Sequence, residues 1–212
     1  MRIVEGVLLD LDGVLVDSWP VAERAIRAAV SSVCGATREP PVEEFRAHLG
    51  KPLEDIARAL DLPGEFVPAF RSYARKHAGL VRIFDGIPDM LRQLRAMSLG
   101  IGVVTAKDRL RTEELFEMLD LSALVDVLVT ADDAPGKPDP AALNLCMEGL
   151  KTRNVLGYLG DAVADMIAAR NAGVPRLLAL WSDCPIIECD VSFCTPAQFT
   201  AYAVSAIQRS AS

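Results

Sequence analysis

The chain has 212 residues, 51% of them hydrophobic, which suits one domain with a sizeable core, or such a domain carrying a modest insert. Its net charge of −7 argues against a general nucleic-acid or anionic-membrane surface, since both need clustered Lys and Arg. It does not exclude a phosphate ligand, because one local cation can invert the field of a pocket.

Residues 3–9 (Ile-Val-Glu-Gly-Val-Leu-Leu) predict a buried strand. From about 18 to 80 the pattern is helical, with stretches at 22–33, 42–48, 53–60 and 65–77 and no convincing strand. Beyond it, apolar runs and amphipathic stretches alternate. Strands are expected at 100–105, 125–130, 155–159, 176–181 and, more weakly, 190–194. Helices are expected at 88–97, 109–119, 140–150 and 162–171, and Thr195-Pro196 opens a last one. Alternating strands and helices imply an α/β fold, a parallel sheet covered on both faces, interrupted early by an all-helical insert. No apolar run reaches the roughly 18 residues of a membrane span. The first residues show no basic-then-apolar leader. Five scattered cysteines suggest no disulfide framework, so a cytoplasmic protein is expected. Cys184, Cys189 and Cys194 match no zinc spacing and read as idle thiols.

The chemistry-bearing residues stand at the ends of predicted strands. Asp10 and Asp12 are two apart, so in extended chain their carboxylates share one side, and Gly13 permits a sharp turn after them. Two such carboxylates repel, and a divalent cation preferring oxygen ligands, such as Mg²⁺, offsets the repulsion. Thr105 closes the second long strand, where a hydroxyl and the N–H of Ala106 can bind an anion. Lys137 lies in Gly136-Lys137-Pro138-Asp139-Pro140, a loop stiffened by two prolines. Asp161 ends a further strand, with Asp165 four residues on, so a helix starting between them lets both face one cavity. Each residue alone has an ordinary reading as cap, turn or solvated loop. Together, in order and at the sheet edge where open α/β folds bind ligands, they point to one site.

This combination resembles the haloacid dehalogenase superfamily of phosphohydrolases, in its phosphoglycolate-phosphatase-like and β-phosphoglucomutase-like branch. The match spans nearly the whole chain: Asp10-x-Asp12-Gly13-x-Leu15-x-Asp17-Ser18, Thr105-x-Lys107, Gly136-Lys137-Pro138-x-Pro140 and Gly160-Asp161-x-x-x-Asp165. The resemblance implies a Rossmann-like core (1–17 and 82–212) with a four-helix cap (18–81) over the site. It implies that Asp10 attacks phosphorus and becomes an aspartyl phosphate, and that Asp12 acts as acid and then base. Thr105, Ala106, Gly13 and Lys137 would hold the phosphoryl oxygens. Asp10, Asp161, the Asp12 carbonyl and Asp165, directly or through water, would bind Mg²⁺. The implied activity is hydrolysis of a small phosphorylated metabolite.

Within the insert, Leu49-Gly50-Lys51-Pro52 resembles the family's loop that dips toward the site, making Lys51 the first candidate for a substrate contact. Arg46, His48 and Arg71 are weaker ones. Trp19 is expected at the cap–core hinge, and the linkers at 17–20 and 80–86. Ala106 departs from the pattern, since many relatives carry Asn there. Asp12 disfavours dehalogenase and phosphonate-hydrolase chemistry, both of which replace it. A sugar-phosphate mutase shares all four motifs and stays open. A phosphorylated receiver module is disfavoured by the insert. The sequence fixes neither substrate nor oligomeric state.

Overall fold

The computed structural model describes residues 4–182 and 184–211. Strand β1 (Gly6–Leu9) is followed by the two-residue β2 (Val16–Asp17) and four helices, α1 (Trp19–Cys34), α2 (Val42–Arg46), α3 (Leu53–Ala59) and α4 (Phe66–Lys76). Strand β3 (Arg82–Ile83) brings the chain back. There follow α5 (Ile87–Ala96), β4 (Gly100–Val104), α6 (Arg109–Met118), β5 (Val127–Val129), α7 (Ala141–Gly149) and β6 (Val155–Gly160). The chain ends through α8 (Val163–Ala172), β7 (Arg176–Ala179), β8 (Val191–Phe193) and α9 (Pro196–Ala211). No helix among the described residues is long and apolar enough to cross a membrane.

Six strands form one parallel sheet in the order β5-β4-β1-β6-β7-β8. Every residue of β1 is buried, as its uninterrupted Gly-Val-Leu-Leu requires of a central strand. Its side chains alternate between two cores. Val7 and Leu9 pack with Met90 and Leu94 of α5, Leu115 of α6 and Phe199 of α9. Leu8 packs on the opposite face with Leu143 and Met147 of α7 and Ala168 of α8. The strand order reverses at β1: β4 lies on one side, β6 on the other. Ligands of such sheets sit at that switch point, beyond the carboxyl ends of the strands.

The insert has its own apolar cluster. Ile26 of α1, Phe45 of α2, Ile56 of α3 and Phe66 and Phe70 of α4 are buried together. Phe45 and Phe70 stack at 5.7 Å between ring centroids, and Phe66 lies 5.9 Å from Phe70. Where linkers at 17–20 and 80–86 were expected, β2 and β3 pair antiparallel just before and within them, Val16 against Ile83 and Asp17 against Arg82. The chain thus leaves for the insert and returns through one two-stranded ribbon. Strands this short carry no sequence period, which is why the pattern shows only linkers there.

Candidate active site

Four strand ends converge. Asp10 follows β1 and its N–H donates to the Leu159 carbonyl of β6 at 2.9 Å, while Thr105 follows β4 and donates to the Val129 carbonyl of β5 at 3.0 Å. The sheet ladder thus continues one residue into the site and fixes both backbones. Asp10 Oδ1 accepts the Leu11 N–H at 2.7 Å. Lys137 Nζ lies 2.9 Å from Asp10 Oδ2 and 2.7 Å from Asp165 Oδ1. It also donates to the Tyr158 hydroxyl at 3.0 Å, which in turn lies 3.2 Å from the Val104 carbonyl. Asp165 Oδ2 accepts the N–H groups of Asp161 and Ala162 at 3.1 and 2.9 Å, satisfying orphan donors at the start of α8. Asp165 is fully buried and therefore supports the site from beneath.

One carboxylate oxygen each of Asp10, Asp161 and Asp165 lie within 4.8 Å of one another. Burial raises the Asp10 carboxyl well above its ordinary value, against the pull of Lys137, and Asp165 and Asp161 add to the rise. Burial and then Asp165 push Asp161 up to about 7, although Ser182 donates to its Oδ2 at 2.9 Å. Burial alone would pull the Lys137 ammonium down, but Asp10 and Asp165 hold it above the ordinary lysine range. Three clustered carboxylates thus stand beside one buried ammonium that pairs with two of them, and the excess negative charge, offered on oxygen atoms, fits a hard divalent cation. Gly13 supports that fit. Its φ is +80°, and a Cβ there would stand 1.9 Å from Asp161 Oδ2, so the Asp161 carboxylate occupies the space of the missing side chain.

Asp12 is held differently. Lys107 Nζ donates to both its oxygens at 2.9 Å, and the Ser18 hydroxyl donates to Oδ1. Burial favours its neutral form, but Lys107 and Ser18 outweigh that and hold its pKa below the ordinary value. Asp12 is therefore ionised in this state. Asp10 and Asp12, two residues apart, sit in opposite electrostatic environments, as division of labour between two carboxylates demands.

A cavity of about 520 Å³ opens over these residues. Asp10, Asp12, Gly13, Thr105, Ala106 and Lys137 line it, together with Asp161 and, from the insert, Lys51, Arg46 and Trp19. Two of the weaker candidates, His48 and Arg71, face elsewhere, as does His77 near the end of the insert. His48 places Nδ1 against the Glu44 carbonyl, Arg71 pairs with Glu54 and Asp108, and His77 stacks on Tyr73 at 4.0 Å. Sequence reasoning gave no role to Lys107, Tyr158 or Ser182. Lys107 stands in a quoted motif and is signalled by its place just beyond a strand-end Thr. Tyr158 reads as one more apolar strand residue, and nothing local marks Ser182.

Comparison with known proteins agrees with this geometry. The sequence profile described as haloacid dehalogenase-like hydrolase matches residues 7–179. A phosphoglycolate phosphatase of Cereibacter sphaeroides is 31% identical over 181 residues, covering 80% of this chain and 82% of that protein. One from Xanthomonas campestris is 31% identical over 193 residues, covering 85% of each. A crystal structure of a putative phosphoglycolate phosphatase from Lactobacillus plantarum superposes with a TM-score of 0.83 at 23% identity, over 94% of this chain and 99% of that one. The chain belongs to the haloacid dehalogenase-like hydrolases.

Proposed function

We propose that the chain is a Mg²⁺-dependent phosphomonoesterase that hydrolyses a small phosphorylated metabolite through a phosphorylated Asp10. The observation that carries the reading is the convergence of Asp10, Asp161 and Asp165 around Lys137 in one cavity that Asp12 also lines. Residues 18–81 act as a cap over a core of 1–17 and 82–212. The cytoplasm is the expected location.

Asp10 attacks phosphorus with a carboxylate oxygen while the P–O bond to the leaving alcohol breaks. Lys137 and the Leu11 N–H hold Asp10 in place, so attack needs little reorganisation. Thr105, the Ala106 N–H and Lys137 receive the phosphoryl oxygens as charge redistributes. The leaving oxygen takes a proton from Asp12, which picks that proton up from bulk water as substrate enters and weakens the Lys107 contact to its oxygens. Asp12 then removes a proton from water, and the resulting hydroxide attacks phosphorus, releasing inorganic phosphate and restoring Asp10. Asp10, Asp161 and the Asp12 carbonyl would hold the cation, with Asp165 behind them. Bound Mg²⁺ supplies charge neutralisation between the dianionic phosphate and the attacking carboxylate.

The test is phosphate release from an aryl phosphate. Asp10→Asn abolishes it in a folded protein, and EDTA abolishes it in the wild type until Mg²⁺ is restored. Full activity in Asp10→Asn refutes the mechanism.

A further inference from the structure

The cavity is larger and less polar than a phosphoryl group requires. Its floor is the acidic and basic site. The insert contributes the opposite lining: Trp19 and Leu49 present half-buried side chains to the cavity, and the buried Phe45, Leu53, Ile56 and Phe70 border it. From the core side Phe84 and Trp181 complete it. The insert lies against the core in this structure. Gly136 approaches Pro52 so closely that a Cβ on it would stand 2.2 Å from Pro52 Cγ. The volume of about 520 Å³ therefore describes a site with its insert docked, where the substrate body must match the wall. The Arg46 guanidinium lies 5.2 Å from the centroid of the Trp19 ring and anchors that ring by a cation–π contact.

We infer that the ester taken by this cavity carries a bulky, ring-bearing apolar leaving group, a benzyl-type alcohol, against the half-buried side chains of Trp19, Leu49, Phe84 and Trp181. The inference rests on the phosphomonoesterase reading and adds the substrate class to it. A two-carbon acid such as glycolate would leave this wall hydrated and most of the cavity filled with water. A ring expels that water and buries its apolar surface against Trp19, Phe84 and Trp181.

The experiment compares phosphate release by the full chain with Mg²⁺ from benzyl phosphate, ethyl phosphate and phosphoglycolate. Benzyl and ethyl phosphate are both esters of unactivated primary alcohols, so pocket contacts dominate the difference. The expected kcat/KM for benzyl phosphate exceeds both others by at least about tenfold. Ala22→Trp, which enlarges a side chain lining the same wall, reduces the benzyl-to-ethyl ratio. Equal values for benzyl and ethyl phosphate, or a preference for phosphoglycolate, overturn the inference while leaving the phosphatase reading standing. If no ester is hydrolysed, that reading fails, and binding decides the inference separately. The chain's two tryptophans, Trp19 and Trp181, both line the cavity, so intrinsic fluorescence reports occupancy. Benzylphosphonate binding at least about tenfold tighter than ethylphosphonate sustains the inference, and equal affinities overturn it.

Discussion

Lys107 grips Asp12 with one ammonium shared by both carboxylate oxygens, at 2.9 Å each. The pair bridges the loop after β1 and the loop after β4, so it fixes the Asp12 carboxylate relative to Thr105 as well as setting its charge. The Lys107 N–H also donates to Thr105 Oγ1 at 3.2 Å, which ties the same loop to the Thr105 hydroxyl. Lys107→Met removes the cation and keeps the stem. Steady-state kinetics should show kcat/KM down by about 10²-fold, with kcat carrying most of the loss because Asp12 is misplaced at the step that needs it. A rise in KM alone would mean that Lys107 serves binding only.

Gly13 and Asp161 meet across 148 residues, and the contact admits no side chain at Gly13. Gly13→Ala both strains a left-handed backbone and drives a methyl into the Asp161 carboxylate. The carboxylates proposed to hold the cation are then displaced while the six-stranded sheet stays whole. Calorimetric titration with Mg²⁺ should show affinity reduced by at least about tenfold, with far-ultraviolet circular dichroism unchanged. Wild-type Mg²⁺ affinity in this variant would contradict the placement of the cation beside Asp161.

The fold and the convergence of the candidate residues were legible because their signals are local. Five long apolar runs in alternation with helical stretches define a parallel sheet, and each carboxylate of the site stands within a few residues of a strand end, where the topology alone brings them together. What escaped is long-range or too short to have a period. The Lys107 contact to Asp12 spans 95 residues and the Ser182 contact to Asp161 spans 21, and no spacing rule links such pairs. Tyr158 sits in Val-Leu-Gly-Tyr-Leu-Gly, where it passes for packing. Only the three-dimensional placement of Lys137 reveals that its hydroxyl serves the site. Helix α1 begins at Trp19, not near 22, because Pro20 falls in the first turn, where its missing N–H costs nothing.

Lys51 lines the cavity and makes no ion pair among the described residues, unlike Lys107 and Lys137. Its charge is thus available to an anionic group on a substrate body. Lys51→Met should raise KM for phosphoglycolate by about tenfold with little change in kcat, the pattern of a binding contact made equally in ground and transition states. The same substitution should barely affect an uncharged leaving group. A matching loss for ethyl phosphate would place Lys51 on the phosphoryl group instead.

Asp108 is the point where the insert, the core and a helix terminus meet. It caps α6 by accepting the Arg111 N–H at 3.0 Å and pairs with the Arg111 guanidinium at 2.6 Å. Arg71, reaching from α4 of the insert, lies 3.3 Å away. Burial would raise the Asp108 pKa, but the Arg111 N–H, the Arg111 guanidinium and Arg71 together hold it below its ordinary 3.8. A carboxyl depressed by folding stabilises the native state above the unfolded pKa and loses that contribution as pH falls through the folded value. Asp108→Ala should therefore cost about 1 kcal/mol near neutral pH, the usual worth of a cap, with little added by solvent-screened ion pairs. Urea unfolding near pH 7 should show that gap between wild type and variant, and unfolding at progressively lower pH should show it narrowing once the medium drops below 3.8. A gap that stays constant through that range would mean that Asp108 acts by packing and not by charge.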